Sequence, residues 1–279
     1  MPEKTALVNG ASSDFGLLTS IERAKAGFRV VATMRNLGRR ERLDQAIAAT
    51  GVAATIEVRA LDVTIFDTIQ SFVDGVVRDY GRLDVLVNNA GFAVAGFAED
   101  IKVDELRLQF ETNFFGAVAM TKAALPTMRR QRSGHIIHVS SISGLHGAVT
   151  ASSYSASKHA LEGWSESLRM EVNSLGIKVV LVEPGAFKTD IGRAGLSCES
   201  RLRGRRRPIF NVVCACGIAS RKFPRPTRSP AQLVVAIAQN PNPKLCYLVG
   251  RDARIQLAMK RILPWKCTRR LVSSFIKID

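Results

Sequence analysis

Tyr154 and Lys158 stand four residues apart in the run Tyr154-Ser-Ala-Ser-Lys158, and Ser141 precedes the tyrosine by thirteen residues. On a helix, that spacing puts the phenol and the ammonium one turn apart on one face. A free tyrosine titrates near pH 10, and an adjacent positive charge favours its phenolate, which suits the pair to exchange a proton near neutral pH. Tyrosine and lysine at this spacing are common by chance, so the weight of this reading rests on the rest of the chain.

Far upstream lies a glycine-bearing turn, Asn9-Gly-Ala-Ser-Ser-Asp-Phe-Gly16. The apolar run Lys4 to Val8 reads as a buried strand, and Leu17 to Ala26 reads as a helix ended by Gly27. A strand, turn and helix in this order present backbone N–H groups and a positive helix end to a dinucleotide pyrophosphate. Gly10 would permit the tight bend and Gly16 the close packing. The second run, Arg29 to Thr33, should be the next parallel strand, and it leads into Met34 and Arg35 where an acidic residue would bind a ribose 2′-hydroxyl. A guanidinium there suits a 2′-phosphate, which predicts NADP, with NAD as the alternative.

Further apolar runs follow at Ile56 to Leu61, Leu83 to Val87, His135 to Val139 and Ile177 to Val182. Pro230 to Ala238 reads as a helix and Leu245 to Gly250 as a final strand. Strands alternating with helical patterns predict an α/β protein: a single doubly wound parallel sheet, Rossmann-like, of about seven strands with helices on both faces. Ser140 and Ser141 emerge at the carboxyl end of the fifth strand, where open parallel sheets place ligands.

With the turn, Asn88-Asn89-Ala90-Gly91, Asn113, Ser141, Tyr154, Lys158 and Pro184-Gly185 in this order, the chain resembles the short-chain dehydrogenase/reductase family from residue 4 to about 191. The resemblance implies a catalytic set of Asn113, Ser141, Tyr154 and Lys158. By family spacing Ser141, not Ser140, is the catalytic serine. Tyr154 would exchange the proton, Ser141 would stabilise charge on the substrate oxygen, and Lys158 would lower the Tyr154 pKa and bind the nicotinamide ribose. Asn113 would hold a water of the proton relay. The cofactor would lie on Gly10, Ser12, Ser13, Asp14, Phe15, Gly16, Arg35, Asp62, Val63, Asn89, Ala90, Gly91, Tyr154, Lys158, Pro184, Gly185 and Thr189. Asp62 is the family's adenine ligand and Thr189 its carboxamide ligand.

The chain departs from the family turn, Thr-Gly-x-x-x-Gly-x-Gly, at two places: Asn9 replaces the threonine and Asp14 the middle glycine. A carboxylate facing a phosphate adds bulk and like charge, and unit charges 4 Å apart cost about 1 kcal/mol in water and about 4 at an effective dielectric of 20. Alternatively, Asp14 caps the helix and points into solvent. The family resemblance is to members acting on steroids, retinoids and other lipids, and it implies a homodimer or homotetramer. The competing reading is a catalytically weak or idle dinucleotide-binding regulatory module, motivated by Asp14 and by the irregular segment described next.

At 279 residues and 46% hydrophobic composition, the chain is long enough for one domain with a sizeable core, spanning 1–279. Met1-Pro-Glu-Lys runs straight into the first strand and no apolar run approaches eighteen residues, which predicts a cytoplasmic protein. The net charge of +16 is uneven: from Glu199 to Arg228, nine basic residues face Glu199 alone. For the segment 197–229, three readings compete: a mobile substrate loop, an anionic-partner patch, and a slipped reading frame, with its Arg/Pro/Cys composition favouring the last, or disorder. No aromatic interleaving accompanies the arginines, so no nucleic-acid partner is expected.

All five cysteines lie beyond residue 197 without paired spacing, and the four histidines form no ligand pattern, so free thiols and no metal are expected. Residues 252–275 mix Ile255, Leu257, Ile262, Trp265 and Phe275 with Arg254, Lys260, Arg261 and Lys266. Such a basic amphipathic helix packs on its own domain or covers a pocket, or else makes a peripheral contact with an anionic membrane.

Overall fold

The computed structural model describes residues 3–187, 189, 191 and 230–267. The segment 197–229 and the end of the 252–275 stretch lie outside the described residues.

Seven strands form one sheet: β1 (Thr5–Val8), β2 (Arg29–Met34), β3 (Ile56–Ala60), β4 (Val85–Asn88), β5 (Gly134–Val139), β6 (Ile177–Pro184) and β7 (Cys246–Val249). Their order is β3-β2-β1-β4-β5-β6-β7, every pair parallel. The chain runs outward from β1 to β3, then returns to the other side of β1 with β4. That reversal creates a crevice at the carboxyl ends of β1 and β4, where ligands bind in sheets of this kind.

Successive strand residues point to opposite faces. Ala6 and Val8 join the core on one face, with Val30, Ala32 and Val180; Leu7 joins the other, with Val31, Leu86 and Ile136. The first face is covered by α1 (Asp14–Lys25), α2 (Glu41–Thr50) and α7 (Pro230–Gln239). The second is covered by α3 (Phe66–Tyr80), α5 (Gly116–Gln131) and α6 (Ser152–Val172). A shorter helix, α4 (Val103–Phe110), leads into α5 through a π-helical turn, Glu111–Phe115. Central strands buried on both sides explain why the sequence shows continuous apolar runs rather than alternation.

Arg23 of α1 is fully buried between helix and sheet. Its Nη2 donates to Val234 O of α7 at 2.6 Å, and its guanidinium lies 4.9 Å from the Phe28 ring centroid. Burial pulls its pKa down to about 10. This contact fastens the first helix to one that follows it by more than two hundred residues.

The sequence-read helix at Leu17 to Ala26 starts earlier, at Asp14, because the helix grows directly out of the turn. The C-terminal amphipathic stretch forms α8 (Arg251–Ile262), which ends where Leu263 turns extended ahead of Pro264. It packs over the turn after β5, where His146 Nε2–H bonds Gln256 Oε1 at 2.6 Å. Ile262 and Trp265 stay 77% and 79% exposed, so this end of the stretch does not bury its apolar residues. No helix among the described residues is long and apolar enough to cross a membrane.

Candidate active site

The turn after β1 is built on absent side chains. Gly10 has φ +69°, a left-handed value, and a Cβ there would come within 2.8 Å of Ala90 Cα. A Cβ on Gly16 would run into Gly10 O and Asn89 Nδ2. Asn9 organises the surroundings: its Oδ1 accepts from Asn89 N at 2.8 Å and Ala90 N at 2.7 Å, while its Nδ2 donates to Asn88 Oδ1 at 2.7 Å. The Asn89 amide donates back to Gly10 O at 3.0 Å and Asn9 O at 3.2 Å. The departure from threonine at Asn9 therefore gives the turn an amide that binds Asn88, Asn89 and Ala90 together.

Asn88 is similarly structural. Its Nδ2 donates to Thr121 Oγ1 at 3.0 Å and to Ala117 O at 3.3 Å, tying β4 to α5.

Asp14 is not the helix cap. The N-cap of α1 is Ser13, in extended backbone, and its Oγ donates to Asp14 Oδ2 at 3.2 Å. Asp14 itself has φ +51°. A left-handed backbone is natural for the family's glycine and is better tolerated by Asp than by most residues. Ser12 and Phe15 are half-buried beside it, and the Phe15 ring meets Phe187 edge to face at 5.4 Å. That aromatic pair joins this turn to the one after β6. Sequence reasoning missed Phe187, whose signal was its place two residues after Gly185.

At the end of β2, Arg35 is exposed, with its Nε 3.9 Å from Asp62 Oδ2. Asp62 also accepts from Thr64 N at 3.0 Å and Thr64 Oγ1 at 2.7 Å. Both line an open cleft of about 470 Å³ with Leu61, Ile65 and Phe72. Val63 is buried against Gly116, where a Cβ would meet its Cγ2 at 2.8 Å.

Asn113 sits in the π-helical turn and is buried. Turns of this kind often mark functional sites. Its Oδ1 accepts from Phe92 N at 3.0 Å, and its Nδ2 donates to Phe92 O at 3.0 Å and Ser157 Oγ at 3.1 Å. The side chain lies against Gly91, at which a Cβ would come within 3.1 Å of Asn113 Oδ1. The asparagine thus joins the strand-end loop to α6.

Ser141 follows β5 and caps a short turn, its Oγ accepting from Ser143 N at 3.1 Å. It also hydrogen-bonds Tyr154. Tyr154 and Lys158 lie on α6 as their spacing predicts, with Lys158 Nζ 5.8 Å from the Tyr154 ring centroid and donating to Val139 O at 2.8 Å.

The expected lowering of the Tyr154 pKa by Lys158 is overturned in this geometry. Burial, only partly offset by the Ser141 hydrogen bond, pushes the phenol up to about 12. Burial also brings Lys158 down to about 8, against the opposing pull of Glu162. Loss of water around the phenol sets the direction, while the Lys158 ammonium stands 5.8 Å from the ring centroid and hydrogen-bonds Val139 O.

Pro184 and Gly185 close the site from the end of β6. Asp252, in the first turn of α8, accepts from Ala186 N at 2.6 Å and crowds Gly185 so closely that a Cβ there would strike its carboxylate. This residue too was missed from sequence, although an acid two residues after Gly250 is a helix-start signal. Thr189 is half-buried just beyond the turn. Gly10, Gly16, Asn89, Ser141, Tyr154, Lys158 and Gly185 therefore gather around the carboxyl edge of the sheet, with Arg35 and Asp62 at its outer end.

A short chain dehydrogenase family model matches residues 4–197. The chain is 40% identical over 273 residues to the uncharacterized oxidoreductase YusZ of Bacillus subtilis, covering 95% of each protein. It is 41% identical over 190 residues to human retinol dehydrogenase 8, covering 67% of this chain and 60% of that protein. A crystal structure of a short-chain dehydrogenase from Streptomyces avermitilis superposes with a TM-score of 0.79 at 32% identity, covering 99% of this chain and 97% of that one. A structure of ElxO with NADP bound gives 0.64 at 30% identity, over 71% and 82%. The glycine turn, the parallel sheet and the tyrosine–lysine helix agree with these relationships, and the chain belongs to the short-chain dehydrogenase/reductase family of NAD(P)-dependent oxidoreductases.

Proposed function

We propose that this protein interconverts an alcohol and its carbonyl with NADP(H), on a lipophilic substrate such as a retinoid, steroid or other lipid. The observation that carries the reading is the half-buried Tyr154, its hydroxyl bonded by Ser141 and flanked by Lys158, at the same sheet edge as the glycine turn. That turn fits a dinucleotide: Gly10 and Gly16 leave a cradle that a Cβ would fill, and the N-terminus of α1 opens onto it. Arg35 offers a cation for a 2′-phosphate. When bound, NADP(H) supplies or accepts the hydride.

The protein residues handle the proton. Tyr154, held protonated at neutral pH, is placed to donate to a substrate oxygen, and the Ser141 hydroxyl steadies charge developing on that oxygen. Lys158 would hold the ribose and supply positive charge beside the phenol, and Asn113 links α6 to the loop at Gly91, where a relay water would sit. The retinoid class is supported by the similarity to retinol dehydrogenase 8. We assign 1–279 to one domain and expect a homodimer or homotetramer.

The test is a turnover screen of retinols, hydroxysteroids and aliphatic aldehydes and ketones with NADPH and NADH. NADPH-dependent turnover of a lipophilic member is expected. Calorimetric absence of binding for both cofactors would instead leave an idle dinucleotide-fold module.

A further inference from the structure

One turn beyond Lys158 on α6 stands a third ionisable residue, Glu162. Tyr154, Lys158 and Glu162 follow one another at intervals of four, so they share a single stripe of the helix. Glu162 reaches under the turn that begins at Ser141: a Cβ on Gly144 would meet Glu162 Cγ and Ser140 Oγ, each at 2.9 Å.

Opposite it, Glu183 projects from β6 immediately before Pro184. It is 1% exposed, and the groups within reach of its carboxylate are the Cys246 thiol and Glu162, with no backbone N–H or cation bonded to it. A carboxylate oxygen of each glutamate and the Cys246 sulfur of β7 lie within 4.8 Å of one another. The groups facing this cluster are Lys158 and Glu166 from α6, the Ser140 hydroxyl from the end of β5, and Cys246 from β7. A buried and a half-buried carboxyl group this close cannot both be ionised at low cost, and one proton held between them removes the conflict. The remaining negative charge then has its counter-ion within the protein, in the buried Lys158 ammonium.

We propose that Glu162 and Glu183 form a carboxyl pair sharing one proton, and that the single negative charge left on the pair sits behind Lys158 and keeps it protonated across the working pH range. The two glutamates are positioning residues acting through Lys158. Burial raises Glu162 to about 8 and raises Glu183, while burial and the carboxylates push the Cys246 thiol up so that it stays neutral. Glu162 in turn opposes the downward pull of burial on Lys158. The catalytic part of this inference rests on the oxidoreductase reading above.

The test compares Glu162→Gln, Glu183→Gln and the double variant. An amide mimics the protonated member of the pair, so each single variant retains one negative charge and should keep the high-pH limb of reductive kcat/KM within about 0.3 unit of wild type. The double variant has none, and its limb should move down by about one unit, or roughly tenfold less activity at the alkaline end. An unmoved limb in the double variant, or single variants shifted as far as the double, overturns the proposal.

A second readout needs no turnover. A carboxyl group whose pKa is raised on folding contributes stability that is complete below its unfolded value near 4.5 and is lost as pH rises through the folded value near 8. Wild-type Tm should therefore fall between about pH 5 and 8 and level off above, and either single variant should flatten that fall. An equally steep fall in both singles overturns the shared proton, even if the double variant does not fold. Failure of wild type to turn over any carbonyl, with the Tm signature present, would retire the substrate reading while leaving the pair in place.

Discussion

The turn after β1 and the N-terminal half of α6 face the same crevice and are specified in opposite ways. At the turn, function depends on what is missing: Gly10 and Gly16 clear a space that any Cβ would occupy, and the Asn9 amide locks the backbone around it. On α6, function depends on what is present: Tyr154 and Lys158 are bulky, polar and desolvated, and each is displaced from its ordinary pKa by burial. The first region is sensitive to shape and to negative charge, the second to the balance of charges. Asp14 matters because it brings a side chain and a charge into the region that otherwise excludes both.

The largest expected effect lies on α6. Tyr154→Phe should lower kcat by about a thousandfold, within the usual range for loss of a general acid, while calorimetric cofactor affinity stays within a few-fold. Retained turnover would remove Tyr154 from the chemistry. At the turn the comparison predicts the reverse pattern. Gly16→Ala drives a methyl into Gly10 O and the Asn89 amide, so it should weaken NADPH by about a hundredfold and cost about 1–3 kcal/mol of stability in thermal unfolding. Native affinity in this variant would show that the turn opens easily.

Asp14→Gly should act in the opposite direction, tightening NADPH by roughly ten- to a hundredfold, or about 1–3 kcal/mol. The left-handed φ of +51° adds a second reason, since glycine adopts it without strain. Asp14→Asn separates the causes, because it removes the charge and keeps the side chain. Unchanged affinity in both variants would show that the carboxylate does not face the phosphates. The smallest effect should be that of Arg35→Ala, which should weaken NADPH by about tenfold and leave NADH unchanged, given that Arg35 is exposed and screened. Equal losses for the two cofactors would make it a surface residue.

The sheet was legible in the sequence because the central strands are buried on both sides, which leaves continuous apolar runs between helical patterns. The Tyr154–Lys158 face was legible because helix periodicity alone fixes it. Less could be read where chemistry depends on contacts distant in sequence. The sequence shows Asn9 only as a departure from the family threonine, and its role lies in bonds to Asn89 and Ala90, about eighty residues away. The direction of the Tyr154 shift could not be read from spacing, which gives the proximity of a charge and not the amount of water removed. Asp252 and Phe187 were missed for the same reason: the first meets the chain at Ala186 and the second at Phe15, and neither partner is a sequence neighbour.

The Arg23 contact bears on the order in which the molecule can be completed during its synthesis. The helix that opens onto the nucleotide cradle is backed by a carbonyl 211 residues further along the chain. A ribosome that has delivered everything through β6 has delivered the glycine turn, the serine, the tyrosine and the lysine, yet Arg23 still lacks its acceptor and β6 still lacks its outer neighbour β7. The nascent protein must therefore hold a guanidinium and an open strand edge in solvent until α7 and β7 emerge, because contacts this distant in sequence form late. Chains cut before α7 would carry every residue of the proton-transfer set while lacking both the Arg23 acceptor and the outer neighbour of β6.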